Sequence, residues 1–271
     1  MRYSACIEWL FADANGLPAL PGTAEGSFPV GVKAEVPDRI RAAKAAGLDA
    51  VEFWHHSNKD IGAVRAALDE TGLTLAGILC EPIAPLTNPE AHERFLEGVR
   101  VSLAAAQALG TKVMIAQAGD LLPDVARTVQ HAAIVKVLGE AAKILEGTGV
   151  VIALEPLNDR VDHPGYYLTS TEEGLDIVDE VGRPEVRLLY DIYHAAVMGE
   201  DIDVLAGRLD RVVHVHLADT PGRGEPGSGQ MDYADRLEWL AQHGYQGLVG
   251  LEYRPSKPTA ETLGFRELVR A

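Results

Sequence analysis

The chain has 271 residues, 47% of them apolar, and a formal charge of −16, enough chain for a sizeable core and too acidic for a phosphate-backbone partner, whose affinity comes largely from lysine and arginine. Its two cysteines, Cys6 and Cys80, lie far apart inside apolar runs, which excludes a disulfide framework or a Cys-x-x-Cys metal site. The first residues lack a signal-peptide core and no stretch approaches about eighteen apolar residues, so a cytoplasmic protein with no membrane partner is expected.

In chain order, strand-like runs at 3–8, 50–54, 74–79, 112–116, 150–155, 186–191, 212–217 and 248–252 alternate with Ala- and Leu-rich helical stretches near 35–46, 59–71, 89–109, 124–147, 171–180, 201–208, 233–243 and 259–270. Several helical stretches end in a glycine followed at once by a strand, as in "ETGLTLAGI" and "ALGTKVMIA", a common helix stop. Eight strands alternating with eight helices imply a parallel sheet, and its simplest closure is a single (β/α)8 TIM barrel. A doubly wound open sheet is the alternative. No linker or composition shift divides the chain, so one domain over 1–271 is expected, with a long loop at about 12–34 on the barrel's top face.

In such barrels the chemistry sits at the C-terminal strand ends. Alternation along "VVIALEPLN" puts Val151, Ala153 and Glu155 on one face. In "VRLLYDIYH" the same face carries Leu189 and Asp191, with His194 in the following loop. In "RVVHVHL" Val212, His214 and His216 share one side and Val213, Val215 and Leu217 the other, and "LVGLEYRP" presents Leu248, Gly250 and Glu252 together. Four consecutive strands thus each end in a ligand-type residue on one parity: Glu155, Asp191, His216 and Glu252. Three carboxylates in one barrel mouth repel unless one is protonated or a cation binds among them. One divalent ion resolves the repulsion, and oxygen-rich ligation with one imidazole suits Mg2+, Mn2+ or Co2+ better than a closed structural zinc site.

The runs "GLDAVEFW", "VVIALEPLNDRVDHPGYYL", "LLYDIYH", "HVHLADTPGRGEPGSGQMDY" and "YQGLVGLEYRP" together resemble the xylose-isomerase-like sugar isomerase/epimerase superfamily and, within it, the hydroxypyruvate isomerase family. The resemblance spans nearly the whole chain. It implies a TIM barrel holding one divalent ion through Glu155, Asp191, His216 and Glu252. It also implies that Glu155 and Glu252 exchange the substrate proton, and that His194 and Arg223 contact substrate. The expected reaction is isomerisation of a small hydroxy-oxo acid, hydroxypyruvate to tartronate semialdehyde, with a ketose 3-epimerase or another sugar isomerase as the alternative. A non-catalytic sugar-binding barrel and an endonuclease-IV-like repair enzyme are the readings from other classes. The net charge and the single histidine among the four ligand positions speak against the nuclease.

Other features read as follows. Trp54, on the inward parity with Glu52, is a candidate wall of the substrate pocket, or a plain core aromatic. His214 reads as a core histidine or one behind the ligand set. His92, His131 and His243 fall away from the catalytic face. Gly222 to Gly227 match G-x-G-x-x-G literally, but Pro226 interrupts them and no helix follows at once, so no dinucleotide and no organic cofactor is expected. The planar fork of Arg223 suits a substrate carboxylate, against a surface pairing with Glu225. Exposed barrel flanks leave self-association open.

Overall fold

The computed structural model describes residues 1–14 and 34–267. β1 (Arg2–Cys6) is followed by α1 (Val36–Ala45), β2 (Ala50–Glu52), α2 (Ile61–Thr71), β3 (Thr74–Leu75), β4 (Ile78–Leu79), α3 (His92–Leu109), β5 (Val113–Gln117), α4 (Arg127–Leu145) and β6 (Val151–Glu155). Then come α5 (Thr171–Val181), β7 (Val186–Asp191), α6 (Ile192–Met198), β8 (Val212–Leu217), α7 (Tyr233–Gln242) and β9 (Leu248–Leu251). All ladders are parallel and β1 pairs with both β2 and β9, so the first and last strands meet.

The strand expected over 74–79 is broken in two at Ala76 and Gly77. β3 pairs with β2 and β4 with β5, while the Leu79 amide donates to the Trp54 carbonyl at 2.9 Å. That bond carries the sheet across the break. The result is a TIM-barrel-like α/β fold, and the open doubly wound alternative is set aside because no edge separates β1 from β9.

Two expected helices differ from the structure. The stretch 201–208 holds only a 3-10 turn at Ile202–Leu205. Instead α6 starts directly after β7, because Asp191 Oδ1 accepts the amides of Tyr193 at 2.7 Å and His194 at 3.1 Å, a side-chain cap that satisfies two orphan donors of the first turn. His194 therefore sits on a helix and not in a loop. The final stretch forms 3-10 turns over Thr259–Glu267. Most of the loop expected at 12–34, and the end of the last expected helix, lie outside the described residues. Gly72 and Gly110 close α2 and α3 with φ of 69° and 80°, left-handed conformations that glycine adopts without strain.

Apolar side chains form two layers. The larger packs the outer face of the sheet against the helices. The smaller fills the barrel interior with Leu79, Val113, Ile115, Ala153 and Leu189, joined by the half-buried Val213. Val213 was expected outside. The β7–β8 register jumps between Leu188, which faces Val212, and Leu189, which faces His214. This bulge reverses Val212 and Val213 relative to simple alternation, and it brings Asp191 level with His216. Among the described residues no helix is long and apolar enough to cross a membrane.

Candidate active site

β6, β7 and β8 end at Glu155, Asp191 and, one residue before its end, His216, while Glu252 follows β9 directly. All four are buried, and each offers one ligand-type atom within 4.8 Å of the others. His216 Nδ1 lies 3.3 Å from Glu155 Oε1, 3.4 Å from Glu252 Oε2 and 3.9 Å from Asp191 Oδ2. Yet this nitrogen makes no hydrogen bond. A buried polar atom without a partner is rare, and these separations are those of donors sharing a small ion at about 2.0–2.2 Å from each. The electrostatics agree. Burial pushes the Asp191 carboxyl up to about 7, helped by Glu155 and Glu252 and opposed by Arg223 and His216, so three buried carboxylates in this space call for added positive charge. The residues present fit a divalent cation.

Glu252 is held from both sides. Its Oε1 accepts Trp54 Nε1 at 2.6 Å and its Oε2 accepts Arg223 Nη2 at 2.6 Å. Burial works against its charge, but His216 and Arg223 outweigh that and hold the carboxyl well below the usual range. Trp54 is half-buried and packs edge-on against Trp9, ring centres 5.0 Å apart. It therefore touches the candidate catalytic glutamate directly.

Arg223 is buried, not paired with Glu225 at the surface. Its guanidinium lies 5.0 Å from the Trp9 ring centre and 5.1 Å from that of Tyr193, and Nη1 is 3.6 Å from Asp162 Oδ1. Its Nε has no acceptor. Glu225 instead accepts from Ser256, through both hydroxyl and amide. The loop carrying Arg223 is organised by the fully buried Asp219, which accepts the amides of Thr220 at 2.7 Å, Gly227 at 2.7 Å and Met231 at 3.1 Å. Asp219→Ala should therefore cost about 1–3 kcal/mol for each buried amide left without an acceptor, read as a lower midpoint in urea; an unchanged midpoint would show that the loop is held elsewhere.

His194 is buried, and its Nδ1 receives the Asn158 backbone amide at 3.0 Å. That bond makes Nδ1 the acceptor and, in the neutral ring, puts the proton on Nε2. Burial and the nearby Arg223 hold its pKa well below that of free histidine. Nε2 has no acceptor. Thus two buried donors, His194 Nε2 and Arg223 Nε, are left over at the strand ends that carry the four ligand-type residues.

Sequence reasoning noted Glu52 only for its parity and gave no role to Glu8, Lys59, Trp9, Asn158 or Asp162. Lys59 Nζ reaches Glu8 Oε1 at 2.5 Å, and Asp162 Oδ2 accepts from Asn158 Nδ2 and Tyr193 Oη, each at 2.7 Å. Glu8, expected at the end of the strand over 3–8, lies beyond β1, which stops at Cys6, and Trp9, Lys59, Asn158 and Asp162 lie in turns or loops, where period-two alternation gives no signal. His131 faces Glu173 and Glu180, and His243 stacks on Trp239 at 3.7 Å, both away from the four-donor set, as expected.

The fold is a TIM-barrel-like α/β architecture with four residues at its strand ends that could hold a metal ion, and comparison with known proteins gives the class. The chain belongs to the xylose isomerase-like TIM-barrel family, whose model matches residues 40–269, and it is an isomerase of the sugar-isomerase type. It is similar to hydroxypyruvate isomerase of Escherichia coli (strain K12), with 29% identity covering 100% of both chains. It is also similar to 2-oxo-tetronate isomerase of Cupriavidus necator, with 32% identity covering 84% of this chain and 90% of that protein. A crystal structure from Brucella melitensis described as an AP endonuclease of family 2 superposes with a TM-score of 0.85 at 26% identity, covering 100% of this chain and 99% of the other.

Proposed function

We propose that the protein isomerises a small hydroxy-oxo acid, hydroxypyruvate to tartronate semialdehyde, with one divalent ion held by Glu155, Asp191, His216 and Glu252. The observation that carries this reading is the pair Glu155 and Glu252, both within 3.4 Å of the unpartnered His216 Nδ1, beside two leftover buried donors. When bound, Mg2+, Mn2+ or Co2+ supplies Lewis-acid stabilisation of the negative charge that develops on substrate oxygen. One glutamate, as the carboxylate, removes a proton from the hydroxyl-bearing carbon; the other, as the carboxylic acid, gives one to the neighbouring carbonyl carbon; and the hydroxyl proton passes to the former carbonyl oxygen, which completes the shift from hydroxyketone to hydroxyaldehyde. Trp54 and Arg223 fix Glu252 in place as an anion. His194, a neutral donor through Nε2, and Arg223, through Nε, orient substrate oxygens. The two curated relatives named above bear the names of isomerases of hydroxy-oxo acids, which supports a carboxylate-bearing substrate over a neutral ketose. A net charge of −16 weighs against a nucleic-acid substrate.

The direct test is proton exchange in deuterated water with a panel of three- to six-carbon oxo-acids and ketoses. Hydroxypyruvate or a close hydroxy-oxo acid should isomerise with deuterium uptake, and turnover confined to neutral ketoses would move the assignment to a ketose epimerase. Arg223→Ala sharpens the distinction. Loss of its bond to Glu252 impairs every substrate alike, whereas loss of a carboxylate contact impairs only the acids, by a further 1.5–3 kcal/mol or so, the range for a hydrogen bond to a charged group. Equal losses on acids and neutral ketoses would remove the carboxylate role.

A further inference from the structure

Behind the four-donor set lies a second buried cluster, Glu52, His214 and His216. Glu52 stands at the end of β2, with its side chain 3% exposed, where a barrel-interior carboxylate is costly unless it is satisfied. Its Oε2 accepts Ser4 Oγ at 3.0 Å and faces His214 Nε2 at 2.7 Å. Its Oε1 has no such partner and lies 3.3 Å from His216 Nε2, which also has none. These two leftover atoms face each other. On the far side of the same ring, Nδ1 points among Glu155, Asp191 and Glu252.

Space for this arrangement comes from β9. Gly250 pairs with His216, and a Cβ at position 250 would stand 2.3 Å from Glu52 Oε1 and 2.7 Å from His216 Cδ2. Any larger residue would push the carboxylate and the ring apart. Glycine at 250 is thus explained by side chains from two other strands and not by backbone conformation.

We infer that Glu52 is a positioning residue: its Oε1 accepts a hydrogen bond from His216 Nε2–H, which fixes the ring's orientation and tautomer and leaves the Nδ1 lone pair for the cation. The inference rests on the metal reading of the four-donor set. A ligating imidazole is commonly steadied by a carboxylate on its other nitrogen, and losing that partner weakens metal affinity by about 10–100-fold. Ser4 and His214 occupy Oε2, so Oε1 is directed to His216.

The test is Mn2+ affinity, measured from free Mn2+ by electron paramagnetic resonance, beside the melting temperature of the metal-free protein. Glu52→Gln keeps the shape and removes the charge; its Mn2+ Kd should rise about 10–100-fold while the metal-free melting temperature stays within a few degrees of wild type. A packing role alone would lower the melting temperature and leave Kd unchanged, and that result overturns the assignment. Should Glu52→Gln fail to fold, Ser4→Ala decides, since it removes one of the two groups that hold Oε2 and lets the carboxylate turn away from His216. A several-fold rise in Kd at unchanged stability supports the assignment, and an unchanged Kd overturns it. Wild-type protein that binds no Mn2+ would instead sink the metal reading itself, a failure distinct from an intact wild-type Kd that Glu52→Gln leaves unmoved.

Discussion

Stripping the protein with a chelator should abolish turnover and lower its melting temperature, and added Mn2+ or Mg2+ should restore both. The expectation follows from the charge held in one small volume. Glu155, Asp191 and Glu252 are each at least 95% buried, with the Arg223 guanidinium beside Asp191 and Glu252. Without an ion, the relief open to this cluster is proton uptake, and burial already pushes Asp191 toward neutrality. An ion present at 100 times its Kd stabilises the folded state by about 2.7 kcal/mol. For a chain of this size that corresponds to a rise of about 5–10 °C. Differential scanning calorimetry of stripped and reloaded protein reads the shift, and turnover assayed on the same samples reads the activity. Full activity in protein shown to be metal-free would remove the ion from the reaction.

The four-donor set was legible in the sequence because it obeys a simple rule. Parallel strands of one barrel expose alternate residues inward, and Glu155, Asp191, His216 and Glu252 each lie on that parity within one residue of a strand's C-terminal end. The closed sheet was legible for a similar reason, since eight strand-like runs alternate with helical ones. What escaped depends on atoms that alternation cannot place. The bulge at Leu188 and Leu189 reverses Val212 and Val213, and a register shift leaves no mark in the residue types. His194 looked like a loop residue because nothing in "DIYH" shows that Asp191 would cap the helix it opens. In the sequence Arg223 reads as a substrate contact, whereas the structure shows it bonded to Glu252 at 2.6 Å, a contact between a loop and a strand end 29 residues apart. Glu52 drew attention only for its parity. Its meaning depends on His214, 162 positions away, and on the missing side chain of Gly250.

Glu252→Gln should keep the fold and lose activity by orders of magnitude even when metal is saturating. The substitution preserves shape but removes the carboxylate that the reading assigns to proton exchange, a contribution of about 10²–10⁴-fold for a positioned acid or base. Saturating Mn2+ matters because the same side chain belongs to the ligand set, and excess ion separates weakened metal binding from lost proton transfer. The amide also meets two donors, Trp54 Nε1 and Arg223 Nη2, each at 2.6 Å from a Glu252 oxygen. An amide can accept from only one of them, so a stability loss of about 1–3 kcal/mol is expected beside the kinetic one. Melting temperature and circular dichroism establish that the variant is folded before its kinetics are read. Exchange in deuterated water then assigns the role: if Glu252 removes the proton, the variant loses substrate exchange together with isomerisation. If exchange persists while isomerisation stops, Glu252 returns the proton and Glu155 removes it. Near-normal turnover in the folded, metal-saturated variant would place the proton-transfer group elsewhere and leave Glu252 as an anchor for Trp54 and Arg223.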